Sequence, residues 1–316
     1  MTPVQRPLGR SGLSTTPLVL GGNVFGWTCD TAQGFAVLDA FVGGGGQMID
    51  TADMYTNWIP GLSGGESERL IGNWQHDRRC RDRIVIATKI GRDNPPCSGL
   101  SRASIVAGVE RSLQRLRTDY IDIYFAHLDD ASVPLEETLR AFDDLVRAGK
   151  VRALGASHYD AERMKEAAAL CAANGLARYE VLQPRYNLLT RGDFEGALQD
   201  YCMANDVAVV PFYALASGFL TGKYRSADDL AGKHRGPEVA PYLTDRGFAV
   251  LAALDAVAAE TGLQPAQIAL AWLNAQPGIT APIASATNVE QVEELLAVLT
   301  LELSPEQLSM LDAAGR

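Results

Sequence analysis

Asp50, Lys89 and His127 each close a short apolar run of this chain, and Tyr55 follows Asp50 five residues on. Taken singly, each residue has a plain explanation. An Asp after a strand caps a turn, and a strand-end Lys or His is a satisfied polar residue. Taken together, a carboxylate, a phenol, an ammonium and an imidazole make a set that can move a proton. A free phenol titrates near pH ~10 and releases its proton reluctantly. A neighbouring ammonium favours the phenolate and so strengthens Tyr55 as an acid, while a nearby imidazole extends the hydrogen-bond network. An ammonium at the end of a buried strand needs a counter-charge, which Asp50 can supply. Carbonyl reduction calls for such an acid, because hydride addition leaves an alkoxide.

These residues need elements that bring three separate strand ends to one place. Short runs rich in β-branched residues predict strands at residues 18–21, 47–50, 84–89, 121–127, 151–157, 180–183, 207–212 and 279–284. Helical periodicity fills the intervals. At residues 135–148 the side chains of Leu135, Leu139, Phe142, Leu145 and Val146 share one stripe, with Gly149 as a stop, and residues 289–298 repeat the pattern. Continuous apolar runs such as Ile84-Val85-Ile86-Ala87 indicate strands buried on both faces, as in a parallel sheet. Eight such units over 316 residues predict an α/β fold, a single (β/α)8 TIM barrel spanning residues 1–316 with an N-terminal extension. The competing doubly wound open sheet lacks a Gly-x-Gly-x-x-Gly fingerprint after any early strand. The glycine run at residues 43–46 precedes a strand and reads as a connecting loop. Residues 224–243, after strand seven, are too polar and broken for a strand or long helix and read as an extended loop suited to a lid. In a barrel the C-terminal strand ends form one rim, which gathers Asp50, Tyr55, Lys89 and His127.

Composition narrows the partners. Lys and Arg number 28 against 38 Asp and Glu, a net charge of −10, which argues against nucleic acid or an anionic membrane surface. Five scattered cysteines without a Cys-x-x-Cys pair argue against a disulfide framework or structural zinc and suit reduced thiols in a cytoplasmic location. The N-terminal twelve residues lack the basic and apolar segments of a signal peptide, and no stretch approaches the ~20 apolar residues of a membrane span.

In seven segments the sequence resembles the aldo-keto reductase superfamily, in the branch near bacterial aldo-keto reductases and potassium-channel β subunits. They are Ile49-Asp50-Thr51-Ala52-Asp53-Met54-Tyr55, Gly65-Glu66-Ser67-Glu68, Ile84-Val85-Ile86-Ala87-Thr88-Lys89 and Asp122-Ile123-Tyr124-Phe125-Ala126-His127. Val151-Arg152-Ala153-Leu154-Gly155-Ala156-Ser157, Gln183-Pro184-Arg185-Tyr186-Asn187-Leu188-Leu189 and Gly218-Phe219-Leu220-Thr221-Gly222-Lys223-Tyr224 follow in the same order. The resemblance implies a barrel binding NADPH or NADH across its mouth, direct hydride transfer without a metal, and Tyr55 as general acid. Asp50 and Lys89 would tune Tyr55, and His127 would orient the carbonyl. Ser157 and Gln183 would hydrogen-bond the carboxamide, with His158 where Asn is usual, and Phe212 would stack on the nicotinamide. Tyr213, Leu215, Ser217 and Lys223 would line the pyrophosphate. Asn23 would contact the cofactor from the first loop. Ser285, Thr287, Gln291 and Glu294 would surround the adenosine.

Two departures bear on the cofactor. Residues 284–288 hold no cation for a 2′-phosphate, and Leu295 replaces the usual Asn. NADP is the expected cofactor, held by Lys233, His234 or Arg235, with NAD as the alternative. Phe25, Trp27 and Trp58 lie in loops above the nicotinamide and are expected to wall a pocket for a small-molecule carbonyl or alcohol. The substrate, the direction of reaction and the oligomeric state stay open. A cofactor-binding regulatory module of the same fold is the competing function. A metal-dependent hydrolase finds little support, since the chain has four histidines and no His-x-His pair.

Overall fold

The computed structural model describes residues 4–316, so part of the N-terminal segment read for a leader lies outside the described residues. The chain opens with a two-stranded antiparallel hairpin, β1 (Arg6–Pro7) and β2 (Ser14–Thr15). Eight parallel strands follow: β3 (Val19–Gly21), β4 (Met48–Asp50), β5 (Val85–Ile90), β6 (Ile121–Ala126), β7 (Val151–Ser157), β8 (Tyr179–Gln183), β9 (Ala208–Val209) and β10 (Ile283–Ala284). They pair in chain order, and β10 returns to pair with β3. On the far side Thr280 N donates to Val209 O at 2.8 Å and Ile283 N to Pro211 O at 2.9 Å, joining the eighth strand to the seventh. The expected (β/α)8 architecture is therefore present.

Helices cover the outside: α1 (Thr31–Gly43), α2 (Glu66–Arg78), α3 (Arg102–Leu116), α4 (Leu135–Arg147), α5 (Ala161–Asn174) and α6 (Ala197–Ala204) alternate with β3 to β9. The one-turn α7 (Gly236–Val239) precedes α8 (Asp245–Thr261) and α9 (Pro265–Ala275), while α10 (Val289–Leu296) and α11 (Pro305–Gly315) follow β10. Local sequence sets their ends. Asp30, Ser101 and Asp160 accept hydrogen bonds from the backbone N–H three residues on, satisfying orphan donors at the starts of α1, α3 and α5. In α4 the stripe residues Leu135, Leu139, Phe142 and Leu145 are buried, whereas Val146 sits at the edge of the core.

The apolar side chains form two bodies. A large one lies between strands and helices, and a smaller one fills the barrel. The hairpin residues Leu8 and Leu13 join the inner body, which shows what the N-terminal extension does: it plugs one end of the barrel. Packing inside is tight enough that a Cβ on Gly155 would lie 2.4 Å from the Phe125 ring.

Two strands are shorter than the sequence predicts. Residues 207–212 yield only Ala208–Val209, and residues 279–284 only Ile283–Ala284. Pro211 and Pro282 interrupt these runs and cannot donate to a ladder. Residues 224–243 hold single turns (Asp228–Leu230, Gly236–Val239, Ala240–Tyr242) rather than an unbroken extended loop. All five cysteines are free and buried. Among the described residues no helix is long and apolar enough to cross a membrane.

Candidate active site

Backbone hydrogen bonds beyond the strand ends hold the rim. Gly22 N donates to Asp50 O at 2.7 Å, Thr51 N to Ala87 O at 2.8 Å, Asp53 N to Lys89 O at 3.2 Å and His127 N to Ile90 O at 2.8 Å. Asp50, Tyr55, Lys89 and His127 are thereby brought together. The Lys89 ammonium donates to Asp50 Oδ2 at 2.7 Å, to Thr51 O at 2.7 Å and to Tyr55 Oη at 2.9 Å, which uses all three of its N–H bonds. Tyr55 Oη in turn donates to Asp50 Oδ2 at 3.2 Å. The His127 ring lies edge-on to Tyr55 with centroids 6.1 Å apart, and its buried Nδ1 has no partner within the protein.

The electrostatics depart from the sequence expectation at Tyr55. Burial, and then the Asp50 carboxylate, hold its phenol well above its ordinary value rather than below it. Burial draws the Lys89 ammonium below its ordinary value, with Asp50 opposing. Burial, with Lys89 and Arg92, holds His127 well below the usual imidazole range, leaving it neutral at pH 7. Tyr55 therefore rests protonated, as a donor must.

Behind the rim, the Gly65-Glu66-Ser67-Glu68 segment at the start of α2 acts as a brace. Ser67 Oγ donates to Gly22 O at 2.8 Å and accepts from Thr51 Oγ1 at 2.7 Å. Buried Glu68 accepts from Thr88 Oγ1 at 2.6 Å and pairs with Arg115 at 2.5 Å. Asp122, from the fourth strand's motif, is structural: it accepts from Ile86 N at 2.9 Å and pairs with Arg81 and Arg152, each at 2.7 Å.

Asp53 lies against the same brace with a buried, unpartnered Oδ1. Burial and the neighbouring Glu68 raise its carboxyl to about 7. A raised folded-state value stabilises the fold fully only below the unfolded carboxyl's ~3.9, and that stability is lost as pH rises through about 7. Asp53→Asn is thus expected to raise the melting temperature by on the order of 5 °C at pH 8, the gain shrinking towards pH 4. Thermal unfolding across that range checks it, and a gain independent of pH would place the effect elsewhere.

The remaining sequence candidates divide. Trp27 and Trp58 meet edge to face with centroids 6.0 Å apart, and Trp58 stands 6.1 Å from Tyr55, so both flank the tetrad. Phe25 does not. It is 0 % exposed within the outer core, because the turn after β3 folds it inward, and the expectation that it walls a pocket is withdrawn. Gln183 Nε2 donates to Asp50 Oδ1 at 2.9 Å, and Ser157 Oγ donates to Gln183 O at 2.9 Å. The two therefore adjoin the tetrad but are already paired. His158 adopts φ 59°, meets Phe212 at a tilt of 51° with centroids 5.1 Å apart and bonds Arg92 at 2.9 Å through Nε2. Burial and Arg92 push His158 down to about 4.

Residues 213–218 are unusual backbone. Tyr213, Ala216, Ser217 and Gly218 take φ values of 56°, 48°, 57° and 94°. The run closes tight turns, with Ala216 N donating to Tyr213 O and Gly218 N to Leu215 O, each at 2.8 Å, so the charge for an anion here comes from side chains. The Lys223 ammonium would lie 3.5 Å from a Cβ at Gly218, and Lys233 and Arg235 are near enough to disfavour its protonation after burial does. Ser217 Oγ donates to Glu238 at 3.0 Å, so a carboxylate borders the segment as well. Leu215 is half-buried beside it, packed on the core. These residues fit a diphosphate. Across the mouth Ser285 Oγ donates to Asn23 Oδ1 at 2.6 Å and Thr287 to Gln291 Oε1, while burial raises the Glu294 carboxyl. Leu295 is buried in the core.

Sequence reading missed Arg92 and Arg115. Arg92 had a signal, a cation three residues past Lys89. Arg115 had none, because its pairing with Glu68 spans 47 residues.

The profile of the Aldo/keto reductase family matches residues 17–316. An aldo-keto reductase of Alternaria alternata is 33% identical, the match covering 99% of this chain and 92% of the relative. A probable voltage-gated potassium channel subunit beta of Oryza sativa subsp. japonica is 32% identical over 97% and 94% of the two chains. A norsolorinic acid reductase of Aspergillus flavus is 31% identical over 96% and 79%.

Proposed function

Since the chain belongs to the aldo/keto reductase family, we propose that it is an NAD(P)H-dependent oxidoreductase that reduces an aldehyde or ketone, or oxidises the corresponding alcohol, with Tyr55 as general acid or base. The observation that carries this reading is the closed network in which Lys89 spends all three N–H bonds on Asp50, Thr51 and Tyr55.

Bound at the mouth, the nicotinamide would supply the hydride to the carbonyl carbon. Lys223, with Tyr213, Leu215 and Ser217 beside it, would hold the diphosphate. Ser157, His158 and Gln183 would meet the carboxamide after Gln183 releases Asp50, and Phe212 would stack on the ring. Asn23, Ser285, Thr287, Gln291 and Glu294 would contact the remaining groups. Lys233 and Arg235, neighbours of Lys223, are the cations that would take the 2′-phosphate of NADP, with NAD as the alternative.

The protein's own residues manage the proton. Tyr55 Oη turns from Asp50 to the carbonyl oxygen and delivers its proton as negative charge develops there. Lys89, already donating to Oη, stabilises the phenolate left behind, which is where its charge counts. Asp50 keeps the buried ammonium charged, and neutral His127 orients the carbonyl oxygen by a hydrogen bond. Trp27 and Trp58 flank the substrate with flat apolar surface.

The relative named as a channel β subunit favours a second reading, cofactor binding with little turnover. An assay with 4-nitrobenzaldehyde and either cofactor separates the two. Steady consumption of NADPH, and slower consumption of NADH, is expected. Cofactor bound without turnover across a panel of carbonyls and alcohols would favour the regulatory module.

A further inference from the structure

Beside the tetrad stands a cation without a counter-charge. Arg92 follows the end of β5, and its Nη2 donates to His158 Nε2 at 2.9 Å. Among the described residues no carboxylate lies within 4.0 Å of its guanidinium, whereas Lys89 is matched by Asp50 and Arg185 by Asp193. Arginine carries five N–H donors, so one bond to a neutral imidazole leaves most of them free. Arg92 is also near enough to Tyr55 and His127 to bias both towards their deprotonated forms. Beside Tyr55 stand Trp58, 45 % exposed and 6.1 Å away, and Trp27, which meets Trp58 at 6.0 Å and His234 at 5.9 Å. The mouth therefore combines flat apolar rings with an unpaired guanidinium around the tetrad.

From this arrangement we infer that Arg92 is a specificity-determining residue that selects carbonyl substrates bearing a carboxylate, anchoring that group while the carbonyl faces Tyr55. The inference rests on the oxidoreductase reading and names its substrate class. A carboxylate would accept the free guanidinium N–H bonds as a bidentate pair, the geometry that arginine favours. His158, accepting through Nε2, fixes the guanidinium plane and competes for none of the remaining donors. Arg92 could otherwise act only by tuning Tyr55, and the two roles separate experimentally. Tuning changes kcat for every substrate alike, whereas anchoring changes KM for charged substrates alone.

The test compares 4-formylbenzoate with its methyl ester, two aldehydes that differ in charge and little in shape, on wild type, Arg92→Met and Arg92→Lys. Wild type is expected to favour the carboxylate in kcat/KM by about tenfold or more, the scale of a hydrogen bond to a charged group. Arg92→Met is expected to lose that preference through KM for the acid, with a smaller change for the ester, and Arg92→Lys to restore part of it. Equal losses for both aldehydes, or a wild-type preference for the ester, would overturn the inference. Tryptophan fluorescence titration with 4-(hydroxymethyl)benzoate and its methyl ester supplies a readout that needs no turnover. Selective binding of the acid, lost in Arg92→Met, would uphold the anion site even if neither aldehyde were reduced, and in that event only the oxidoreductase reading would fail. Indifference to charge in this titration would remove the site even in an active enzyme.

Discussion

Tyr55→Phe is expected to lower turnover by about 10²- to 10⁴-fold, the usual worth of a positioned general acid, while leaving cofactor affinity within about threefold of wild type. The substitution removes one oxygen and keeps the ring, so the edge contacts with Trp58 and His127 survive. What disappears is the donor that rests on Asp50 and the acceptor of one Lys89 N–H bond. Because burial and Asp50 hold the phenol well above its ordinary value, the wild-type acid stays protonated through neutral pH. Steady-state kinetics with a fluorescence titration of cofactor checks both halves. Full activity in the variant would remove Tyr55 from the proton-transfer role.

The second large effect belongs to Lys89. Both partners of the Lys89–Asp50 pair are buried, at 0 and 2 % exposure. Removing one member of a buried pair strands the other charge, at a cost of about 3–5 kcal/mol. Lys89→Met is therefore expected to lower the melting temperature by on the order of 10 °C and to reduce turnover by at least about 10²-fold. Adding Asp50→Asn should recover much of the stability, because it neutralises the stranded carboxylate, but none of the activity. A double-mutant cycle read by thermal unfolding and by kinetics checks this. Stability unchanged in Lys89→Met would mean that the pair is compensated by water or by a shifted Asp50.

Much of the fold could be read because the apolar patterns are strong. The run Ile84 to Ala87 announces a buried parallel strand, and the α4 stripe places its helix to within a residue. The tetrad was legible for a related reason: three members, Asp50, Lys89 and His127, stand where an apolar run stops, the barrel collects such stops on one rim, and Tyr55 follows Asp50 in the loop above. The misreadings have local causes. Phe25 looks like a loop aromatic, but the chain after β3 turns back through the Phe25 N–H to Gly22 O bond and sends the ring inward. Tyr55 looked acidified by Lys89, because sequence cannot show how deeply the phenol oxygen is buried against Asp50. Gln183 pairs with Asp50 across 133 residues, and Arg92 with His158 across 66, separations at which no pattern survives. The positive-φ run at residues 213–218 is likewise a tertiary outcome, since only Gly218 among the four announces it.

The most direct measurement follows the hydrogen. The purified protein is given 4-nitrobenzaldehyde and a reduced nicotinamide cofactor carrying deuterium at both C4 positions, and the alcohol is analysed by mass spectrometry. Wild type is expected to yield alcohol with one carbon-bound deuterium, and Tyr55→Phe to yield almost none under the same conditions. Wild-type alcohol free of deuterium, or a cofactor-loaded protein that forms no alcohol from any carbonyl in the panel, would contradict direct transfer at this site.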